Sequence, residues 1–241
     1  MRVWTYHVPV PAEHSRIDYA DVRMDQAQFD YGALLRQWQK VAQRHSAGIW
    51  IDQVAEDPAS PMYCRVQRML KYIDSTAFDQ PTVFLDSDAF LNADIRHIFD
   101  GDWDIGVTYR HNMEMCLNEG VIFANNRRPD AVRSFFREYL ATYDRLCADP
   151  AVLAKYNGNI KRWRGGQLSL NALACTHGLP SALDVREIAG ARVAYFPCWK
   201  WNYSCNEVNP RELDTKAIVH LKGARKHLLD DLIRYQEGKR A

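Results

Sequence analysis

The chain has 241 residues, 47% of them hydrophobic and 25% charged, which suffices for one α/β domain with a full core. Lys and Arg number 31 against 30 Asp and Glu, and a net charge of +1 excludes a global field for nucleic acid or an anionic membrane. Any phosphate binding must be local, and no stretch approaches the ~20 apolar residues of a transmembrane segment.

The opening MRVWTYHVPV is polar too soon for a signal peptide and reads as a first strand. Over residues 30–45, Leu34, Leu35, Trp38 and Val41 recur at helical spacing. IWIDQV, 49–54, reads as a strand, and DPAS supplies turn and cap chemistry ahead of a helix over 60–73 with Val66, Met69, Leu70 and Ile73 on one side. TVFLD, 82–86, is a short β-rich run that ends on an acid. Strands are predicted at 104–110 and 120–126. The helix predicted over 130–146 carries Val132, Phe135, Phe136, Tyr139, Leu140 and Tyr143 at the 3.6 period. A further helix runs over 166–178 and ends at Gly178. VAYFP and AIVHL are late strands. The alternation predicts an α/β sheet with an antiparallel portion, and no boundary divides residues 1–241, so a single domain is expected. Cys64, Cys116, Cys147, Cys175, Cys198 and Cys205 form no CxxC pair and are expected as unpaired thiols in a reducing, cytoplasmic setting.

Chemistry concentrates at two places. In PTVFLDSDAFL the run Thr82–Leu85 delivers Asp86 and Asp88, either side of Ser87, to the C-terminal edge of a buried strand, where open α/β sheets bind ligands. Two acids that close repel unless a cation lies between them, and a hard divalent ion suits oxygen ligands. The competing reading is a strand followed by a solvated turn. In AIVHLKGARKHLL an apolar strand delivers His220, with Gly223 and Lys226 after it. A neutral imidazole can join two carboxylates on a metal, a Gly admits a phosphate to the backbone, and a Lys pairs with a diphosphate. The competing reading is a basic, solvated helix.

The order of Asp86-Ser87-Asp88, Asn118-Glu119-Gly120, Gly166-Gln167 and His220-x-x-Gly223-x-x-Lys226 resembles the GT-A-fold glycosyltransferases of the family-8 type, which include glycogenin and bacterial galactosyltransferases. Phe196-Pro197 with Trp201-Asn202 resembles a further segment of that family. The resemblance implies a Rossmann-like mixed sheet flanked by helices. It also implies a metal-dependent transfer of sugar from a nucleotide-sugar donor, UDP-linked, to a carbohydrate or other hydroxyl acceptor, with retention. By resemblance, Asp86, Asp88 and His220 bind Mn2+ (or Mg2+), and Ser87, Asn118 and Gly120 lie against the donor. Gln167 sits beneath the anomeric carbon, Asp88 and Lys226 act in catalysis, and Gly223 with Lys226 holds the diphosphate. Thr5, Tyr6 and His7 face the nucleotide base. The family carries Asp where this chain has Gly166, and Glu119 or Arg164 are the candidates to replace it.

Two rival functions use the same residues: a metal-dependent phosphatase or nucleotidyltransferase on the Asp pair, and a sugar-nucleotide-binding protein without turnover. WKWNY, 199–203, is either core or an acceptor-sugar platform, and KRWRGG, 161–166, is either a solvated loop or a basic segment over the diphosphate.

Overall fold

The computed structural model describes residues 1–8, 16–19, 22–25, 30–45, 48–53, 59–111, 115–156, 160–162, 164–176, 178, 180–182 and 184–239. The predicted positions Val54, Asp57, Pro58, Trp163 and His177 lie outside them.

The chain opens with β1 (Arg2–His7), and β2 (Arg16–Tyr19) pairs antiparallel with β3 (Val22–Asp25). α1 (Tyr31–Arg44) starts at Asp30, whose side chain accepts from the Ala33 N–H and satisfies one of the free donors of the first turn. β4 (Gly48–Gln53) leads to α2 (Pro61–Asp74), which has Pro in its first turn, where no N–H is needed. β5 (Thr82–Leu85), β6 (Ala89–Leu91), β7 (Ile105–Tyr109) and β8 (Leu117–Ala124) follow. Then come α3 (Pro129–Ala148), α4 (Pro150–Lys155), α5 (Gly165–Ala174), β9 (Val185–Ile188) and β10 (Ala191–Pro197). The chain closes with α6 (Cys198–Trp201), α7 (Pro210–Leu213), β11 (Ile218–His220) and α8 (Leu229–Gly238).

A seven-stranded mixed sheet, in the order β4-β1-β5-β8-β7-β10-β9, forms the middle layer. Side chains alternate across it, so neighbours in sequence serve opposite cores. Trp4 and Phe84 pack with Met69, Phe136 and Tyr139 of α2 and α3 on one face, while Val3 and Val83 pack with Leu34, Trp38 and Phe90 on the other. With both faces covered, β5 reads as an unbroken apolar run rather than an alternating one.

Four predictions need correction. β8 begins at Leu117 rather than 120, because beyond a register shift Leu117 and Asn118 pair with Tyr109 and Thr108 of β7, and the Asn171 side chain bonds both the N–H and the carbonyl of Leu117. α5 ends at Ala174, and Gly178 lies beyond it with φ +83. The AIVHL strand does not join the large sheet, since β11 pairs antiparallel with β6 in a sheet of two strands. Cys116, just before β8, and Cys175, just after α5, form a disulfide, so the expectation of unpaired thiols holds only for Cys64, Cys147, Cys198 and Cys205. A sequence separation of 59 hides the bonded pair from spacing rules, because the packing of α5 on β8 brings the two cysteines together. Among the described residues no helix is long and apolar enough to cross a membrane.

Candidate active site

β5 ends in a turn in which Ala89 N–H donates to Asp86 O over 2.9 Å, so Asp86 and Asp88 leave the sheet at its C-terminal edge and the chain reverses at once into β6. β11 lies along β6 with His220 opposite Ala89, and Leu221 N–H donates to Asp88 O over 2.8 Å. This register puts the His220 ring on the acids. Its Nε2 is 2.9 Å from Asp88 Oδ1 and 3.6 Å from Asp86 Oδ2.

Each carboxylate gives its other oxygen to a base. Arg65 Nη2 lies 3.0 Å from Asp86 Oδ1, and Lys226 Nζ lies 2.7 Å from Asp88 Oδ2. Burial alone pushes the Asp88 carboxyl up, but Lys226 and His220 outweigh it and hold that group well below the usual carboxylate range. Lys226 also stands 5.4 Å from the centre of the Tyr31 ring, whose phenol is pushed up by burial and by Asp88 and Asp86.

The donor set of two carboxylate oxygens and one imidazole nitrogen, mutually within 4.8 Å, fits a divalent cation. Gly120 permits the cluster. A Cβ there would lie 2.7 Å from His220 Nδ1 and 2.8 Å from Asp86 Oδ2, so any larger residue on β8 would push the ring and the acid away.

Other predicted residues converge on the same edge. Asn118 donates from Nδ2 to Gln167 Oε1 at 3.4 Å, and Gln167 Nε2 faces Met115 Sδ at 3.3 Å. Ser87 is half-buried in the turn between the acids, and Gly223, with φ +58, opens a 3-10 turn that carries Lys226. Thr5 is fully buried and donates its hydroxyl to Leu85 O, and Tyr6 is 8% exposed with its ring stacked on Trp4. Of that trio only His7 is half-buried, and burial lowers its pKa. The WKWNY segment divides: Trp201 packs against Phe123 and Phe196 in the core, while Trp199 stays exposed with Lys216 over its ring.

Glu119 explains Gly166. A Cβ on Gly166 would lie 2.8 Å from Glu119 Cδ and closer still to its Oε2, so the carboxylate fills the space of a side chain at 166. Tyr139 OH donates to Glu119 Oε2 over 3.0 Å, and Arg65 Nη1 lies 3.5 Å from the same oxygen. Burial raises the Glu119 carboxyl to about 7, with Arg65 opposing the rise and Asp86 adding to it. Arg65, fully enclosed between Glu119 and Asp86, is absent from the sequence reading. An Arg within a helical period reads as part of a solvated face, and no local pattern marks it as buried.

No protein-family model matches the sequence, and no curated protein does. Solved structures do match. A glycosyltransferase involved in the glycosylation of the major capsid of PBCV-1 aligns at TM-score 0.54 and 10% identity, with 100% of both chains covered. The apo-form glycosyltransferase GlyE of Streptococcus pneumoniae TIGR4 aligns at TM-score 0.50 and 13% identity, covering 98% of this chain and 60% of that one. The chain has the GT-A glycosyltransferase fold. In this GT-A chain the acidic turn after β5, the edge of β8, the first turn of α5 and the segment after β11 share one locus.

Proposed function

We propose that the protein transfers a glycosyl group from a nucleoside-diphosphate sugar, UDP-linked, to a hydroxyl acceptor with retention of configuration. The supporting observation is the convergence of Asp86, Asp88 and His220, with Lys226 beside them, at the sheet edge of a GT-A fold. Asp86, Asp88 and His220 would hold Mn2+ or Mg2+, which would supply positive charge to counter that of the diphosphate.

Lys226 supplies a fixed charge for the leaving diphosphate, and Gly223 lets the backbone approach it. Ser87, Asn118 and Gly120 line the donor. Glu119 provides the carboxylate that the resembled family carries at 166. His7 contributes the base-side contact, with Thr5 and Tyr6 buttressing it from inside. Gln167 lies beneath the anomeric carbon, where its amide is too weak a nucleophile to form a covalent intermediate. The acceptor hydroxyl therefore attacks from the face that the diphosphate leaves. The bond from the anomeric carbon to phosphate oxygen breaks as the bond to the acceptor oxygen forms, and the departing phosphate oxygen takes the acceptor's proton.

A panel of nucleotide sugars screened by thermal shift with Mn2+, followed by assay of nucleoside diphosphate release, tests the reading. Release of inorganic phosphate instead, or binding of UDP with no turnover of any donor, would refute the transferase. An inverted anomer in the NMR spectrum of the product would refute the stereochemistry.

A further inference from the structure

One amide outside the ligand set decides which nitrogen of His220 is free to bind. Asn202 follows α6 and is 1% exposed. Its Nδ2 position lies 2.9 Å from Thr108 Oγ1 and 2.7 Å from Asn118 Oδ1, and its Oδ1 position lies 2.8 Å from His220 Nδ1. An amide's two ends are alike in shape, so their assignment must come from a partner with a single role.

The backbone supplies that partner. Gly120 N–H can only donate, and it meets Asn118 Oδ1 at 3.1 Å. That atom of Asn118 is therefore oxygen, and Asn202 must turn its NH2 toward it. The Asn202 oxygen then faces His220, and an oxygen that only accepts requires a hydrogen on Nδ1. Reversing Asn202 alone would press two oxygens together at 2.7 Å. Reversing Asn118 as well would set its NH2 against the Gly120 N–H. Thr108 agrees with the assignment, since its hydroxyl donates to Asn118 O over 2.9 Å and so receives from Asn202.

We propose that Asn202 is a positioning residue of the metal centre: it holds His220 with hydrogen on Nδ1 and aims the bare Nε2 between Asp86 Oδ2 and Asp88 Oδ1. The inference rests on the metal reading of this cluster. With hydrogen fixed on Nδ1, Nε2 is the only ring nitrogen that faces the two carboxylate oxygens, so it meets them through either a proton or a cation, and a metal ion takes the place of that proton. The chain of bonds starts at the backbone of β8, in the large sheet, and ends on a ring carried by β11, in the small one. A ligand histidine is commonly oriented in this way through its second nitrogen, and loss of such an outer partner weakens metal affinity about 10–100-fold.

The test is Mn2+ affinity, measured by EPR on the parent, His220→Ala, Asp88→Asn and Asn202→Leu. If His220→Ala and Asp88→Asn bind Mn2+ like the parent, the metal site is wrong and this inference goes with it. If both lose binding, a folded Asn202→Leu is expected to bind about 10–100-fold more weakly, and unchanged affinity overturns the role of Asn202 while leaving the site intact. The parent protein decides the matter where Asn202→Leu does not fold. With 15N-histidine labelling and Mg2+ bound, His220, assigned by its absence from the His220→Ala spectrum, is expected to carry hydrogen on Nδ1 and none on Nε2. The reverse tautomer overturns the proposal.

Discussion

Replacing Gly166 with Ala puts one methyl group where Glu119 already is. The added Cβ would lie 2.8 Å from Glu119 Cδ, against about 3.5–4.0 Å for carbons at rest. A free carboxylate could swing away, but this one is 93% covered and held by Tyr139 and Arg65. The strain of overpacking such a site is about 1–3 kcal/mol, which exceeds the up to ~1 kcal/mol that Ala gains over Gly within a helix. At ~2–4 °C per kcal/mol for a chain of this size, Gly166→Ala should lower Tm by a few degrees. In a Glu119→Ala background the obstacle is gone and only the helix preference remains, so the same substitution should be neutral or stabilising by up to ~1 kcal/mol. A double-mutant cycle by urea unfolding should return a favourable coupling of about 2 kcal/mol. Equal losses in both backgrounds would show that Glu119 does not fill the space of residue 166, and the account of why this chain carries glycine there would fail.

Asp88→Asn should abolish Mn2+-dependent binding of UDP, measured by calorimetry, and EDTA should reproduce the loss in the parent; UDP affinity indifferent to both would contradict the metal site. Lys226→Ala should lower kcat on the order of 10²-fold, the effect of removing one electrostatic donor from a leaving group; a fully active variant would remove Lys226 from the machinery. The Glu119 carboxyl rises from 4.5 to about 7 on folding, so its neutral form stabilises the fold fully below about 4.5 and that contribution is lost as pH climbs through about 7. In the metal-free protein, the parent should therefore lose stability relative to Glu119→Gln between pH 5 and 8, by an amount on the order of 3 kcal/mol; a pH-independent difference in denaturant midpoints would refute the buried, neutral carboxyl.

The elements that local pattern can encode were legible in the chain itself. An apolar run ending on acids is a strand edge whatever surrounds it, and TVFL before Asp86 is that. The 3.6 period over Val132 to Tyr143 marks α3 because only a helix lines those residues on one side. The residue types at Asp86, Asp88 and His220 raised the expectation of a cation site, and the structure brings their ligand atoms within 4.8 Å of one another. What joins them was not legible, because it depends on register and packing between segments far apart. His220 reaches the acids through a two-stranded pairing of β11 with β6, the strand that begins one residue after Asp88. A slip of one residue would turn the ring to the other face, and nothing in IVH specifies its partner. The burial of Arg65 between two acids, the Glu119 carboxylate in the space of residue 166, the Cys116–Cys175 bond and the amide chain through Asn202 share that origin. Each arises where two or more elements meet, and periodicity along one element carries no information about what the next will place against it.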